Sequence, residues 1–276
     1  MIELKGLTKK YGEFCAVSDL NLKIETGEFF GLLGENGAGK TTTIGMMSTL
    51  LLPTAGEILI DGEKLDRNNM ALKRQISVVT QEYSMRQDMT VDEIMEYQAR
   101  LYRLPLKAAR VKSEDLLDFC GLLDYKKRIV RRLSGGMKRK LMVCRALLTE
   151  PRILLLDEPT AGMDAFSRRQ MWNLLRKLNS MDLTILLTTH YMEEAENLCD
   201  RVSFMKKGKL QITEKPEVMI KNLGEYAVDT IGEEGLKSVF FKKKDEALSY
   251  VASCDEKTTL RNSTLEDVFI ESDKWE

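Results

Sequence analysis

The stretch Gly31-Leu-Leu-Gly-Glu-Asn-Gly-Ala-Gly-Lys-Thr-Thr-Thr43 decides how the rest of the chain is read. It contains G-x-x-x-x-G-K-[ST], with Gly34, Gly39, Lys40 and Thr41 at the constrained positions. The apolar run over 29–33 reads as a buried strand, and residues 41–51 read as a helix. That strand–loop–helix order is what a phosphate cradle requires. Glycines at 34, 37 and 39 let the backbone bend so that successive N–H groups point inward, and the helix start adds its dipole to the same anion site. In such a cradle Lys40 reaches the β- and γ-phosphates and the Thr41 hydroxyl ligates Mg²⁺.

The other features of the chain narrow its class. Its 276 residues hold one large domain, or one domain with a small appendage. They are 43% hydrophobic and 31% charged, an ordinary globular balance, and the net charge of −1 supplies no basic field for nucleic acid. Cysteines 15, 120, 144, 199 and 254 form no C-x-x-C pair and read as reduced thiols of a cytosolic protein. A single histidine excludes a histidine-cluster metal site. The opening Met-Ile-Glu-Leu-Lys lacks signal-peptide shape and no apolar run approaches spanning length, so the chain is expected not to cross a bilayer.

Ahead of the cradle, residues 1–30 alternate apolar and polar positions between glycine breaks, which predicts short antiparallel strands. Tyr11 stands at a turn, where its ring either stacks on a purine or simply packs. Beyond the cradle, strands are expected over 57–61 and 75–80. The second ends at Gln81, at the carboxyl end of a strand, where ligands collect in α/β folds. Gln81 is a candidate Mg²⁺ ligand or water-positioning group, or a plain polar loop residue.

Residues 83–150 read as an all-helical insert. Thr90-Val-Asp-Glu93 fits a capping box opening a helix over 94–104, and 112–123 continues the helical pattern. The insert ends at Leu133-Ser-Gly-Gly-Met137, where Ser134 is a natural N-cap for a helix over 138–148 and Gly135 and Gly136 leave N–H groups open beside it. This is either an ordinary cap or a second anion site, one that would grip the γ-phosphate held by another subunit.

The run Arg152-Ile-Leu-Leu-Leu-Asp-Glu-Pro159 is a buried strand ending in two carboxylates. Adjacent strand residues face opposite ways, so Asp157 and Glu158 need different partners. Asp157 suits the Mg²⁺ shell, and Glu158 suits a base that takes a proton from attacking water. Asp164 is an N-cap or a group acting across a dimer. Met171, Leu174, Leu175 and Leu178 form the core stripe of the helix it opens. His190 ends the next buried strand, a position from which it can touch a γ-phosphate. Residues 214–276 pattern more weakly: Val228, Val239 and Val251 lie in short apolar stretches, and 265–270 reads as a final helix.

In this order the motifs resemble the ATP-binding subunit of ABC transporters over about residues 1–212. Residues 34–41 match the family's Walker A loop and 153–158 its Walker B strand. Gln81 falls at the Q-loop, 133–137 at the signature, Asp164 at the D-loop, His190 at the switch histidine and Tyr11 at the adenine-stacking aromatic. The resemblance implies an α/β fold. Its parts are a P-loop (RecA-like) ATPase core with an N-terminal antiparallel β subdomain, an α-helical insert and a small C-terminal α+β appendage. The corresponding divisions are 1–213, with a helical subdomain about 83–150, and 214–276.

It also implies ATP and Mg²⁺ as cofactors. Tyr11, Gly34, Asn36, Gly37, Ala38, Gly39, Lys40, Thr41, Thr42, Ser134, Gly135, Gly136 and Asp164 would then contact nucleotide. Thr41, Gln81 and Asp157 would hold the metal, and Glu158, His190, Gln81 and Lys40 would carry catalysis. Met137 stands where the family most often has glutamine, and Ala161-Gly-Met-Asp replaces the commoner Ser-Ala-Leu-Asp. The closing Thr264-Leu-Glu-Asp-Val-Phe269 is similar to tails on ATPases of ABC-2 type export systems, drug exporters among them.

The implied partners are a second ATPase subunit, expected to be another copy of the chain, and an integral membrane permease on a separate chain. No nucleic acid is expected, and the implied location is cytoplasmic, peripheral on the inner face of the cell membrane. The alternative is a non-transport ABC ATPase acting on ribosomes or DNA. Such proteins usually carry two linked ATPase domains or a long coiled-coil insert, whereas this chain has one set of motifs. A non-hydrolysing regulatory subunit fits poorly with intact Lys40, Asp157, Glu158 and His190.

Overall fold

A computed structural model describes residues 1–232, 235–254 and 256–272. The chain opens with β1 (Ile2–Tyr11) and β2 (Phe14–Ile24), which pair antiparallel; β4 (Ala55–Ile60) and β5 (Glu63–Lys64) extend them into a sheet ordered β2-β1-β4-β5. The central sheet is ordered β10-β9-β3-β8-β7-β6. Its strands are β3 (Phe29–Leu33), β6 (Ile76–Val79), β7 (Ile153–Asp157), β8 (Thr184–Thr189), β9 (Arg201–Lys206) and β10 (Lys209–Glu214), parallel except where β10 runs back along β9.

The central strands are buried on both faces, which is why their sequences read as unbroken apolar runs. Alternation along β3 separates two cores: Phe29 and Leu33 face one, Phe30 and Leu32 the other. The second core is closed by the antiparallel sheet and by α1 (Lys40–Met47), through Leu4, Leu22, Ile44 and Met46. The first is closed by α5 (Gly135–Leu147), α6 (Ala165–Asn179), α7 (Met192–Leu198) and the insert helices α3 (Val91–Leu101) and α4 (Leu106–Phe119). A short α2 (Met70–Lys73) precedes β6.

No strand interrupts residues 83–150; the only pairing there is an isolated bridge between Thr90 and Ile129. The capping box is formed as expected, with Thr90 Oγ1 accepting the Glu93 N–H at 3.3 Å and Glu93 Oε2 accepting the Thr90 N–H at 2.7 Å. Several helix boundaries differ from the sequence expectation, and the first insert helix, α3, spans Val91–Leu101 instead of 94–104, with Arg103 just beyond it at a left-handed φ of 56°. The helix after the cradle ends at Met47, not 51: Thr49 takes a left-handed φ of 60°, and the Leu51 N–H returns to Gly45 O at 2.8 Å. The second insert helix starts at Leu106 instead of 112, with Pro105, whose φ is preset, at its N-cap. The third, α5, starts directly after Ser134, three residues earlier than expected.

After β10 come α8 (Pro216–Leu223), β11 (Tyr226–Gly232), β12 (Gly235–Phe241), α9 (Lys244–Ser253), β13 (Thr258–Asn262) and α10 (Leu265–Ser272). Val228 and Val239 are cross-strand partners in a small antiparallel sheet ordered β12-β11-β13, while Val251 lies on α9. Arg261 ties this sheet to α10, bonding Asp229 and, through both guanidinium nitrogens at 2.7 Å, Asp267. Among the described residues, no helix is long and apolar enough to cross a membrane.

Candidate functional site

The carboxyl ends of β3, β7 and β8 bring three segments together. The loop from β3 into α1 bends where only glycine fits: Gly34 and Gly39 have φ of 154° and 110°. A Cβ on Gly34 would stand 2.2 Å from Met205 O, and one on Gly39 2.5 Å from Ala16 O. Gly39 caps α1 without a side-chain bond, so the first N–H groups of that helix are open to an anion. Asn36 and Gly37 are exposed along the rim, Ala38 is buried beneath it, and Thr42 is half-buried in the first helical turn.

Lys40 is only 5% exposed. Its Nζ donates to Gly34 O at 2.7 Å and Glu35 O at 3.0 Å, and lies 3.7 Å from Glu158 Oε1. Burial pulls this ammonium below the usual lysine pKa, against the opposing pull of Glu158 and Asp157. Thr41 Oγ1 donates to Asp157 Oδ1 at 3.2 Å, and the same oxygen accepts from Thr188 Oγ1 at 2.5 Å. A hydroxyl and a carboxylate on adjacent secondary elements are the hard oxygen donors that suit Mg²⁺, and the cradle above them suits a polyphosphate; the residues present fit both groups.

Asp157 and Glu158 do take different partners, for a reason other than strand alternation. Glu158 lies past the end of β7 with φ 47°, and its N–H bonds Thr188 O at 3.0 Å. This left-handed bend, unusual for a side chain of this size, turns the carboxylate toward Lys40 and His190. His190 Nδ1 is 3.2 Å from Glu158 Oε2, without hydrogen-bond alignment.

The remaining candidates stand apart from this cluster. Tyr11 is 47% exposed on the β1–β2 hairpin, with Lys9 Nζ 5.2 Å from its ring centroid. Gln81 is exposed, and its backbone carbonyl accepts from Arg139 at 2.8 Å. Ser134 and Gly135 are exposed at the start of α5, where Ser134 Oγ accepts the Met137 N–H at 3.2 Å. Asp164 is the N-cap of α6: Oδ1 accepts the Ser167 N–H at 2.9 Å and Oδ2 the Ser167 hydroxyl at 2.7 Å, and these bonds hold its carboxyl below the usual range.

The ABC transporter family model matches residues 17–161, which span the cradle, Gln81, Ser134 and both strand-end carboxylates. The chain belongs to the ABC transporter family. It is 38% identical over 235 residues to the Nod factor export ATP-binding protein I of Ralstonia nicotianae, covering 85% of this chain and 73% of that one. It is 38% identical over 209 residues to the daunorubicin resistance ATP-binding protein DrrA3 of Streptomyces coeruleorubidus, covering 76% and 66%. Among solved structures it resembles the ATP-binding cassette MJ0796, a dimer in a post-hydrolysis state bound to ADP and Pi. That likeness has a TM-score of 0.70 and 30% identity over 78% of this chain and 98% of that one. The fold is accordingly the P-loop, RecA-like ATPase core with an N-terminal β subdomain and helical and α+β appendages.

Two features of this ABC chain escaped sequence reasoning. Glu194, fully buried on α7, accepts from Thr160 Oγ1 at 2.8 Å and Trp172 Nε1 at 3.1 Å, joining the segment after Glu158 to the helix after His190; burial pushes its carboxyl pKa up. Phe269 of α10 packs edge-on against Phe204 at 5.2 Å and lines, with residues 35–38 of the cradle, a cavity of about 180 Å³. Through Phe269, α10, in a region that offers no chemistry in sequence, thus reaches the cradle loop.

Proposed function

We propose that the chain is the ATP-hydrolysing motor of an export system, in which two copies close head to tail around two Mg·ATP and drive a separate membrane permease. The observation that carries this reading is the exposed start of α5. Ser134, Gly135 and Gly136 present a helix N-terminus whose described hydrogen bonds are with Met137, Lys138 and Tyr83, none of them in the cradle. A second anion-seeking helix start, with Ser134 and Gly135 exposed to solvent, suits a nucleotide held by another copy. The solved relative, dimeric and bound to ADP and Pi, supports a dimer that binds nucleotide.

In this reading Gly34, Asn36, Gly37, Ala38, Gly39, Lys40, Thr41 and Thr42 hold the triphosphate, and Tyr11 stacks on the base. Thr41, Asp157 and Gln81 would hold Mg²⁺, which when bound neutralises charge on the phosphate oxygens. Glu158 takes the proton of the attacking water, and its neighbour His190 senses the γ-phosphate. Asp164 and residues 134–136 act on the partner copy's nucleotide. Substituting Ser134 with Ala is expected to lower ATP turnover about tenfold or more while leaving nucleotide affinity of the isolated monomer within twofold; steady-state kinetics and equilibrium binding of a fluorescent ADP analogue check both.

Export is supported by the two relatives, whose names speak of Nod factor export and daunorubicin resistance, and by the tail at 264–269. A cleft of about 520 Å³ lined by Met70, Arg74, Leu101, Tyr102 and Arg103 offers apolar and cationic surface to a permease's cytoplasmic helix. Its α2 wall continues through β6 to Gln81, so a push there reaches the nucleotide. The chain would sit on the inner face of the cell membrane through that contact. To test this, a tagged Glu158→Gln chain is expressed in its native cells and membranes are solubilised with Mg·ATP. A co-purifying polytopic membrane protein is expected; ribosomal or DNA-bound partners with nothing from the membrane would overturn the export reading.

A further inference from the structure

Arg139 lies five residues beyond Ser134 on α5, about 7.5 Å along the helix axis. It is 3% exposed, yet among the described residues its guanidinium bonds no carboxylate. Instead Nη1 donates to Thr80 O at 2.6 Å and Nη2 to Gln81 O at 2.8 Å, and the Tyr83 ring lies 5.1 Å from Cζ. The strap continues on both sides. Tyr83 donates its hydroxyl to Gly135 O at 3.3 Å, and Arg145 gives Nη1 to Ser84 O at 2.7 Å and Nη2 to Ser84 Oγ at 2.8 Å. The irregular segment 80–84 is therefore held by the side chains of one helix.

A buried cation is costly to keep; Arg139 Nε is left without a partner, so its hold rests on the Nη1–Nη2 fork, which on two successive carbonyls fixes both distance and orientation. A methionine or leucine would fill the same volume without that demand. The bonded groups are also the informative ones. One end of the strap is the loop bearing Gln81, the candidate metal ligand for the chain's own nucleotide. The other is the helix whose first turn serves the partner copy's nucleotide.

We propose that Arg139 is a positioning residue that links the two composite ATP sites, making the place of Gln81 at one site depend on the docking of Ser134, Gly135 and Gly136 at the other. The inference rests on the head-to-tail reading above. When α5 seats on the partner's γ-phosphate, the rigid helix carries the guanidinium with it, and the Thr80 and Gln81 carbonyls follow. Each site is thereby completed only when its neighbour is filled.

The test uses the full chain in the Glu158→Gln background. With Mg·ATP, the trapped dimer should slow amide hydrogen exchange across residues 81–84 about tenfold or more relative to the nucleotide-free chain. Adding Arg139→Gln should leave the dimer in place and abolish that protection, and Arg139→Lys should restore part of it. With Glu158 intact, Arg139→Gln should lower kcat about 10- to 100-fold, hold KM for ATP within twofold and raise the Mg²⁺ concentration needed for half-maximal turnover. Equal protection of 81–84 in the two trapped dimers would overturn the link, as would loss of the dimer with Arg139→Gln, which would make the residue a support for α5 alone. A Glu158→Gln chain that forms no dimer would instead remove the head-to-tail reading itself, so the two failures are distinguishable.

Discussion

Replacing Glu158 with Gln is expected to slow ATP hydrolysis about 10²- to 10⁴-fold while leaving ATP binding essentially intact. Gln keeps the volume and an acceptor oxygen, so the left-handed turn at φ 47° and its backbone bonds to Thr188 should survive. What it loses is the ability to take a proton. The amide also no longer attracts Lys40 Nζ, 3.7 Å away, as a carboxylate does, which leaves that ammonium freer to engage phosphate. Single-turnover kinetics with radiolabelled ATP separates binding from chemistry. A loss of turnover matched by an equal loss of affinity would show that Glu158 acts mainly by shaping the site.

Replacing Lys40 with Ala is expected to weaken ATP binding about 100-fold, and turnover with it. Hydrogen bonds to charged groups contribute about 1.5–3 kcal/mol each, and tenfold in affinity corresponds to about 1.4 kcal/mol. The side chain is fully dedicated to the cradle, since its described contacts are Gly34 O, Glu35 O and the Glu158 carboxylate. Removing it also leaves Glu158 buried without its ammonium neighbour, an added penalty as a phosphate approaches. Equilibrium binding of a fluorescent ATP analogue checks the affinity, with circular dichroism to confirm folding. An affinity within threefold of the unmodified chain would mean that the backbone N–H groups of the loop suffice without the lysine.

Much of this arrangement is legible from sequence because short-range sterics and electrostatics dictate it. Gly34, Gly37 and Gly39 take φ of 154°, 84° and 110°, which side chains rarely adopt, and the cradle is a local turn onto a helix start. The apolar run into Asp157 announces a strand buried on both faces, and the capping box at Thr90 is a four-residue signal. What stays hidden depends on contacts between distant segments. The strap from Arg139 to Thr80 and Gln81 joins residues 59 and 58 positions apart, and a lone arginine on a helix carries no sign of its partners. Phe269 approaches cradle residues 35–38 from the far end of the sequence, more than 230 positions away. The bend at Glu158 is invisible for a related reason: strand alternation separates its carboxylate from that of Asp157 on paper, while in the fold a backbone outlier does so.

In the proposed dimer two copies share each nucleotide, and the Glu158→Gln chain measures this directly. By size-exclusion chromatography with light scattering, Mg·ATP should convert it from a species near its 31.5 kDa chain mass to one of twice that mass. ADP should not, and adding Ser134→Arg, which places a bulky side chain at the start of α5, should abolish the conversion while the monomer still binds ATP. A chain that stays monomeric at saturating Mg·ATP, or a dimer indifferent to Ser134→Arg, would contradict the composite site.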